Sequence, residues 1–221
     1  MAVITISRQY GSGGLQIAEK VCDVLGYSLF DKNLMVAVAQ EVGGLARNEV
    51  VDFSEDTYKM RTFLERLFGS RRIKVETWSE NQGGTKSLEI ASLDQMEGVA
   101  VVRNTIVAAY ERGNVVIVGR GGQAILREFP GVLHVRIDAP LGARALRIKE
   151  REGLSLAEAS ELATRKDATR DAYLQKFFDI DPGNSLLYHL ILNTGKLDLD
   201  AAAQIIVNAL SHLKTIEDGT A

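Results

Sequence analysis

Two hydrophobic periods alternate along this chain. Short runs in which nearly every position is apolar occur at residues 2–7, 27–30, 115–118, 133–137 and 186–192. Such runs predict strands buried on both faces. Between them, apolar residues recur at three- and four-residue spacing. That spacing predicts helices over 14–25, 32–42, 95–111, 141–151, 155–177 and 198–213. The first helix carries Ile17, Ala18, Val21, Val24 and Leu25 on one face, with Gly26 as its stop. Ser155, with Glu158 three residues on, predicts a capping box. Asp198 or Asp200 opens the last helix, and residues 217–221 form a frayed tail.

Strands that alternate with helices imply a parallel sheet covered on both faces. The expected fold is therefore α/β, with a five-stranded parallel sheet. Residues 43–104 depart from the alternation. Glu49, Asp52, Glu55 and Asp56 precede a helical stripe of Met60, Phe63, Leu64 and Leu67. The basic run Arg71–Lys74 and a polar loop around Gly83 and Gly84 follow. This stretch reads as a helical insertion on the sheet. Arg71–Lys74 reads as a solvated face or a grip on phosphate, and Trp78 as a packed aromatic or a base-stacking platform.

Composition narrows the partners. The 221 residues are 46% hydrophobic and 25% charged, with a net charge of −3. That balance fits a globular domain and argues against bulk electrostatic binding of nucleic acid. No run is apolar for long enough to cross a bilayer, and no basic-then-apolar leader opens the chain, so a cytoplasmic protein free of the membrane is expected. The single Cys22 excludes an internal disulfide and reads as a small core residue. His134, His189 and His212 have no ligand-like partner at helical spacing and read as structural.

In parallel sheets the ligand lies beyond the C-terminal ends of the strands. The positions there are Arg8 to Gly14, Asp31, Gly119 to Gly122, Asp138, and Asn193 with Thr194. The first set is the most telling. A strand ends at Ser7, three glycines follow within Gly11-Ser12-Gly13-Gly14, and a helix begins at Leu15. Glycines let backbone N–H groups approach an anion, and the helix start adds unpaired donors and positive dipole charge. A Walker A loop reads G-x-x-x-x-G-K-[ST]. With Gly13 as its last glycine, Gly14 and Leu15 stand at the lysine and hydroxyl positions. The phosphate cradle is present and its usual cation is absent.

Arg120, flanked by Gly119 and Gly121 at a strand end, reads as a two-pronged anion grip or a salt bridge fixing the loop. Arg144, Arg147 and Arg151 share one helical face, and Arg165, Lys166 and Arg170 follow on the next helix. Two antiparallel helices bearing these arginines form either a closing lid or a solvated basic surface. Asp167 and Asp171 lie among them, placed to pair with the arginines or to assist a nucleotide site.

Taken together, these motifs resemble the cytidylate kinase-like family of P-loop nucleoside monophosphate kinases. The resemblance rests on Ile4-Thr5-Ile6-Ser7-Arg8 through Gly11-Ser12-Gly13-Gly14, on Phe30-Asp31, and on Val118-Gly119-Arg120. It also rests on Asp167-x-x-Arg170-x-x-Tyr173 and on Leu192-Asn193-Thr194. It is weakest over residues 45–110. The resemblance implies a three-layer P-loop kinase made of a core (1–42, 111–140, 178–215), a monophosphate-binding insertion (43–110) and a lid (141–177). It implies γ-phosphoryl transfer from ATP to CMP or dCMP with Mg2+ bridging oxygens. The implied catalytic residues are Arg8, Arg120, Arg144, Arg147, Arg165 and Arg170. The implied phosphate and nucleotide contacts are Ser7, Gly11, Ser12, Gly13, Gly14, Leu15, Asp31, Gly119 and Asp167. Asp31 or Asp138 would help hold Mg2+, and Arg8 would replace the missing lysine.

This chain departs from the cytidylate kinase pattern at Gly14, where a lysine is usual, and at Val118, where an aspartate is usual. Two further readings therefore stand beside the kinase: a nucleotide-binding regulatory module without turnover, and a kinase of another small acceptor. Small-molecule nucleotides are the expected partners. The chain is expected to act as a monomer or as a homodimer packed through Phe63, Leu64, Leu67 and Trp78.

Overall fold

The computed structural model describes residues 2–30, 99 and 102–213. The chain divides into two units, residues 1–31 with 106–221, and residues 32–105. Of the second, residues 99 and 102–105 are described, as helical. The readings for Asp31, the helix over 32–42, most of the insertion, Trp78 and the tail fall outside the described residues.

The first unit contains strands β1 (Val3–Arg8), β2 (Ser28–Phe30), β3 (Val115–Val118), β4 (Val132–Asp138) and β5 (Leu190–Asn193). They form one sheet in the order β2-β3-β1-β4-β5, with every pair parallel. The described helices of this unit are α1 (Gly14–Leu25), α2 (residues 106–112), α3 (Gly122–Ile125), α4 (Leu141–Glu152), α5 (Leu156–Phe178) and α6 (Leu199–Leu210). Among the described residues no helix is long and apolar enough to cross a membrane.

Alternation along the strands separates two layers. Ile4, Ile6, Val116, Val118, Leu133, Val135, Ile137 and Leu192 meet α1 and α6 through Ile17, Ala18, Val21, Cys22, Ala202, Ala203 and Ile206. Burial pushes the Cys22 thiol up to about 11, so it stays protonated and behaves as a small hydrophobe. The opposite face carries Thr5, Ile117 and His134. There α3 lies so close that a β-carbon on Gly122 would stand 3.2 Å from Ile117 and 3.4 Å from Thr5. Helices on both faces make the expected three-layer α/β fold.

Boundaries moved where local hydrogen bonds overrode periodicity. Ser185–Leu187 is a 3-10 turn rather than strand, because the Asn184 side chain accepts from Leu186 N and Tyr188 N donates to Ser185 O. Strand pairing begins only at Leu190, opposite Val135. Val24, read as core-facing, is 60% exposed. The Ser155–Glu158 capping box is complete on both sides. Asp198 rather than Asp200 caps α6, accepting from Ala201 N at 2.7 Å. Asp200 instead pairs with Lys20 on the surface.

Candidate functional site

The loop between β1 and α1 is a built turn. Ser12 N donates to Gln9 O at 3.2 Å, and Gly11, with φ 80°, supplies the positive angle a type II turn needs at its third residue. The Ser12 hydroxyl also donates to Gln9 O, so this fully buried side chain closes the turn from within. Gln9 fastens the loop to the sheet, its N–H on Ile137 O and its Oε1 accepting from Ala139 N. Thr194, just past β5, donates its hydroxyl to Ser12 O at 2.7 Å.

Gly13, in the left-handed region at φ 85°, begins α1 with no side-chain cap. The first helical bond is Ile17 N to Gly13 O. The N–H groups of Gly14, Leu15 and Gln16 therefore precede the helical ladder, at the positive end of the helix dipole. Leu15 is half-exposed beside them.

Arg8, the last residue of β1, crosses this opening. A β-carbon on Gly14 would stand 2.7 Å from Arg8 Cβ and 3.0 Å from Cγ, and one on Gly119 would collide with Arg8 Nη1. The stem covers Gly14 and the guanidinium ends at Gly119. Gly14 leaves room for the stem of Arg8, and Gly119 for its guanidinium. Gly11 and Gly13 are likewise tight, against Ile148 and Leu199.

Beyond β3, Gly122 N donates to Gly119 O at 3.0 Å. Arg120 (φ 58°) and Gly121 (φ 74°) are both left-handed between them, the pattern of a type I′ turn. Arginine there is unfavourable by about 1 kcal/mol. Gly121 is held under Phe178, whose ring would be 2.7 Å from a β-carbon. The charge of Arg120 is felt by Tyr173, whose hydroxyl burial pushes up and Arg120 pulls back. The turn after β3 and the C-terminal half of α5 thus meet.

Helices α4 and α5 pack through Ala145, Ile148, Ala159 and Ala163. Asp167 is their polar hub. Its Oδ1 accepts from Tyr10 N at 2.8 Å and from Arg170 Nη1 at 2.9 Å, and its Oδ2 accepts from Arg144 Nη1 at 2.5 Å. Arg144, 6% exposed, also donates to Ala139 O and Tyr10 O. Arg147 donates to Thr194 O at 2.6 Å and to its hydroxyl at 3.1 Å, with a longer bond to Gly11 O. Arg151 lies over the Tyr10 ring and pairs with Glu152, which accepts from the Tyr10 hydroxyl. Arg165 is exposed.

A small, partly open cleft lies where β1 and β4 end beneath α5. Ser7, Arg8, Gln9, Arg136, Asp167, Arg170, Asp171, Leu174 and Pro182 line it. Of the residues named in advance it gathers Ser7, Arg8, Gln9, Asp167, Arg170 and Asp171. Arg144 and Arg147 fasten the wall behind it, and Arg120 lies near Tyr173. Arg136 was missed. Its signal is an arginine inside an apolar strand, two residues before Asp138 and therefore on the same face. Asp138 is turned to that arginine, both oxygens accepting from Arg136 Nε at 2.9 and 2.8 Å.

His134 is buried and carries a different network. Its Nδ1 lies 2.7 Å from the Thr5 hydroxyl, and its backbone N–H donates to His189 Nδ1 at 2.9 Å. His189 stacks on it, with ring centroids 5.3 Å apart.

The model of the cytidylate kinase-like family matches residues 3–196. A cytidylate kinase of Pyrococcus horikoshii is 37% identical over 119 residues, covering 53% of this chain and 60% of that protein. A protein named uronate isomerase from Corynebacterium glutamicum is 27% identical over 146 residues, 62% of this chain and 28% of that one. The chain thus spans less than two thirds of the length of these relatives. Among solved structures, an uncharacterized protein from Eubacterium ventriosum has a TM-score of 0.61 at 20% identity, over 96% of this chain and 99% of that one. A gluconokinase from Sinorhizobium meliloti has a TM-score of 0.51 at 13% identity, over 96% and 93%. The likeness establishes a kinase-type α/β fold.

Proposed function

This chain belongs to the cytidylate kinase-like family, and from that premise we propose that it is an ATP-dependent kinase of a nucleoside monophosphate, with CMP or dCMP as first acceptor. Phosphoryl transfer asks a protein for cations and fixed donors around a developing polyanion. The observation that carries the reading is the path of Arg8 from Gly14 to Gly119. It puts a permanent positive charge beside the position where a Walker lysine would begin.

In this reading the uncapped first turn of α1 takes the donor's phosphates. Arg8 lies between that turn and the cleft, where it would stabilise charge on the group in transit. Arg170, oriented by Asp167, and Arg120, presented by its turn, would meet the acceptor. Arg144 and Arg147 act one step back, tying α4 to the loop so that the cleft keeps its shape. Mg2+ would arrive on ATP. Among the described residues no three ligating side chains come together, and Asp138 is committed to Arg136.

An ADP-release assay across CMP, dCMP, UMP, AMP, GMP and dTMP, with gluconate and shikimate as hydroxyl acceptors, tests the reading. Turnover of a monophosphate supports it. Turnover of a hydroxyl acceptor alone, or of none, overturns it. The intramolecular partners of Arg144 and Arg147 favour one rival, a nucleotide-binding protein without turnover. Calorimetric binding of ATP with no ADP release would select that rival.

A further inference from the structure

Arg136 lines the cleft with Arg8 and Arg170, yet no reading from the loop or the lid assigns it a task. It is an expensive residue to place in a β-strand of a sheet covered on both faces, and its side chain is only 16% exposed. The structure stabilises it from three sides. Asp138 takes Nε with both oxygens. The Pro182 carbonyl accepts from Nη1, and the Tyr188 ring lies 5.7 Å from the guanidinium carbon. Tyr188 is itself fixed, its hydroxyl donating to the same Pro182 carbonyl at 3.1 Å. These bonds use Nε and Nη1. The Tyr188 side chain also hydrogen-bonds the guanidinium.

A guanidinium held by Asp138, Pro182 and Tyr188 at the edge of a cleft has lost its rotamer freedom before any ligand arrives. Binding then costs little ordering entropy. The cleft holds three arginines against Asp167 and Asp171, and Asp167 already serves Arg144, Arg170 and Tyr10 N. The site therefore suits an anion with several acceptor oxygens, and a fork of planar donors matches a phosphate best.

Resting on the kinase reading above and deepening it, we propose that the Arg136 guanidinium binds the phosphate that the acceptor already carries, alongside Arg170. The site would then select phosphomonoesters and reject the corresponding neutral alcohols. Pro182, between Asp181 and Gly183 after α5, and Tyr188 are the parts of the cradle that aim it.

The test is calorimetric titration of the full chain with CMP, cytidine and ATP. Wild type, R136K, R136M and the double variant R136M/D138N are compared. The double variant removes the buried Asp138 charge that R136M would strand. The wild type is expected to bind CMP and not cytidine. R136M/D138N should bind CMP roughly ten- to hundredfold more weakly and ATP unchanged. R136K, a point charge without the fork, should recover part of the loss. CMP affinity that is unchanged in the double variant, or that falls equally with ATP affinity, overturns the assignment of Arg136. A wild type that binds cytidine as well as CMP overturns the selectivity. A wild type that binds no nucleoside monophosphate overturns the kinase reading itself, and Arg136 with it.

Discussion

The side chain of Arg8 occupies the space that a side chain at Gly119 would need, and its stem does the same at Gly14, where a β-carbon would lie 2.7 Å from Arg8 Cβ. The absence of a lysine at position 14 and the presence of arginine at position 8 are one arrangement. Arg8→Ala should lower kcat/KM for the monophosphate roughly ten- to hundredfold, the cost of one charge-assisted phosphate contact. Gly14→Lys alone should also lower it, because the new stem displaces Arg8. The double variant, R8A with G14K, should recover to within about tenfold of wild type. Additive losses in the double variant would show that the two positions are independent.

Gly119→Ala makes a narrower probe of the same contact. The alanine must push the end of a flexible side chain and accept φ 75°. Unfolding free energy should fall by about 1–2 kcal/mol. Turnover should fall much further than that loss of stability explains. Urea titration and steady-state kinetics on one preparation separate the two.

Arg120 sits in a left-handed conformation that glycine adopts freely. Arg120→Gly relieves that strain and adds unfolded-chain entropy, two effects that nearly cancel. Stability should change by less than about 1 kcal/mol, while kcat/KM falls by at least about tenfold. A large loss of stability on urea unfolding would make Arg120 a structural salt-bridge residue instead.

Asp167 joins α4, α5 and the loop through Arg144, Arg170 and Tyr10 N. Asp167→Asn keeps an acceptor for Tyr10 N and removes the charge that compensates buried Arg144. The protein should lose about 3 kcal/mol of stability, measured by urea unfolding at neutral pH. An unchanged midpoint would mean that solvent already screens the pair.

Burial holds the His134 imidazole down at about 4, and neighbouring His189 adds to the effect. Above pH 6.5 the ring is neutral folded and unfolded, and it contributes nothing to pH dependence. Between 6.5 and 4 the unfolded chain binds a proton that the folded chain refuses, so stability falls as pH falls. The full loss is of order 3 kcal/mol. A His134→Gln variant should be less stable at pH 7, yet flatter between pH 6.5 and 4. Unfolding midpoints across that range decide it, and equal slopes in both proteins would refute the assignment.

The described core was legible because its signals are local. Apolar runs marked the strands, Ser155 and Glu158 wrote their own cap, and strand–helix alternation forced a parallel sheet. That topology named the strand ends as the place to look, and Ser7, Arg8, Asp167 and Arg170 line the cleft there. The errors came where a local bond competes with a pattern. Asn184 turned Ser185–Leu187 out of the strand, and exposed Val24 kept the period of α1 without a neighbour to meet.

By itself, the sequence determined the elements, their order and the residue types at the strand ends, since periodicity, caps and glycine positions depend only on neighbours in the chain. Only the tertiary structure decided what each charge does. An arginine reads the same in sequence whether it is tied to a carbonyl, as Arg147 is to Thr194, or paired across helices, as Arg144 is to Asp167. The fate of such a charge is set by groups distant in the chain, through desolvation and the partner that offsets it. For the same reason Arg136 stayed silent until Asp138, Pro182 and Tyr188 were seen around it. The course of Arg8 across the loop likewise emerged only when Gly14 and Gly119 were found to make room for it.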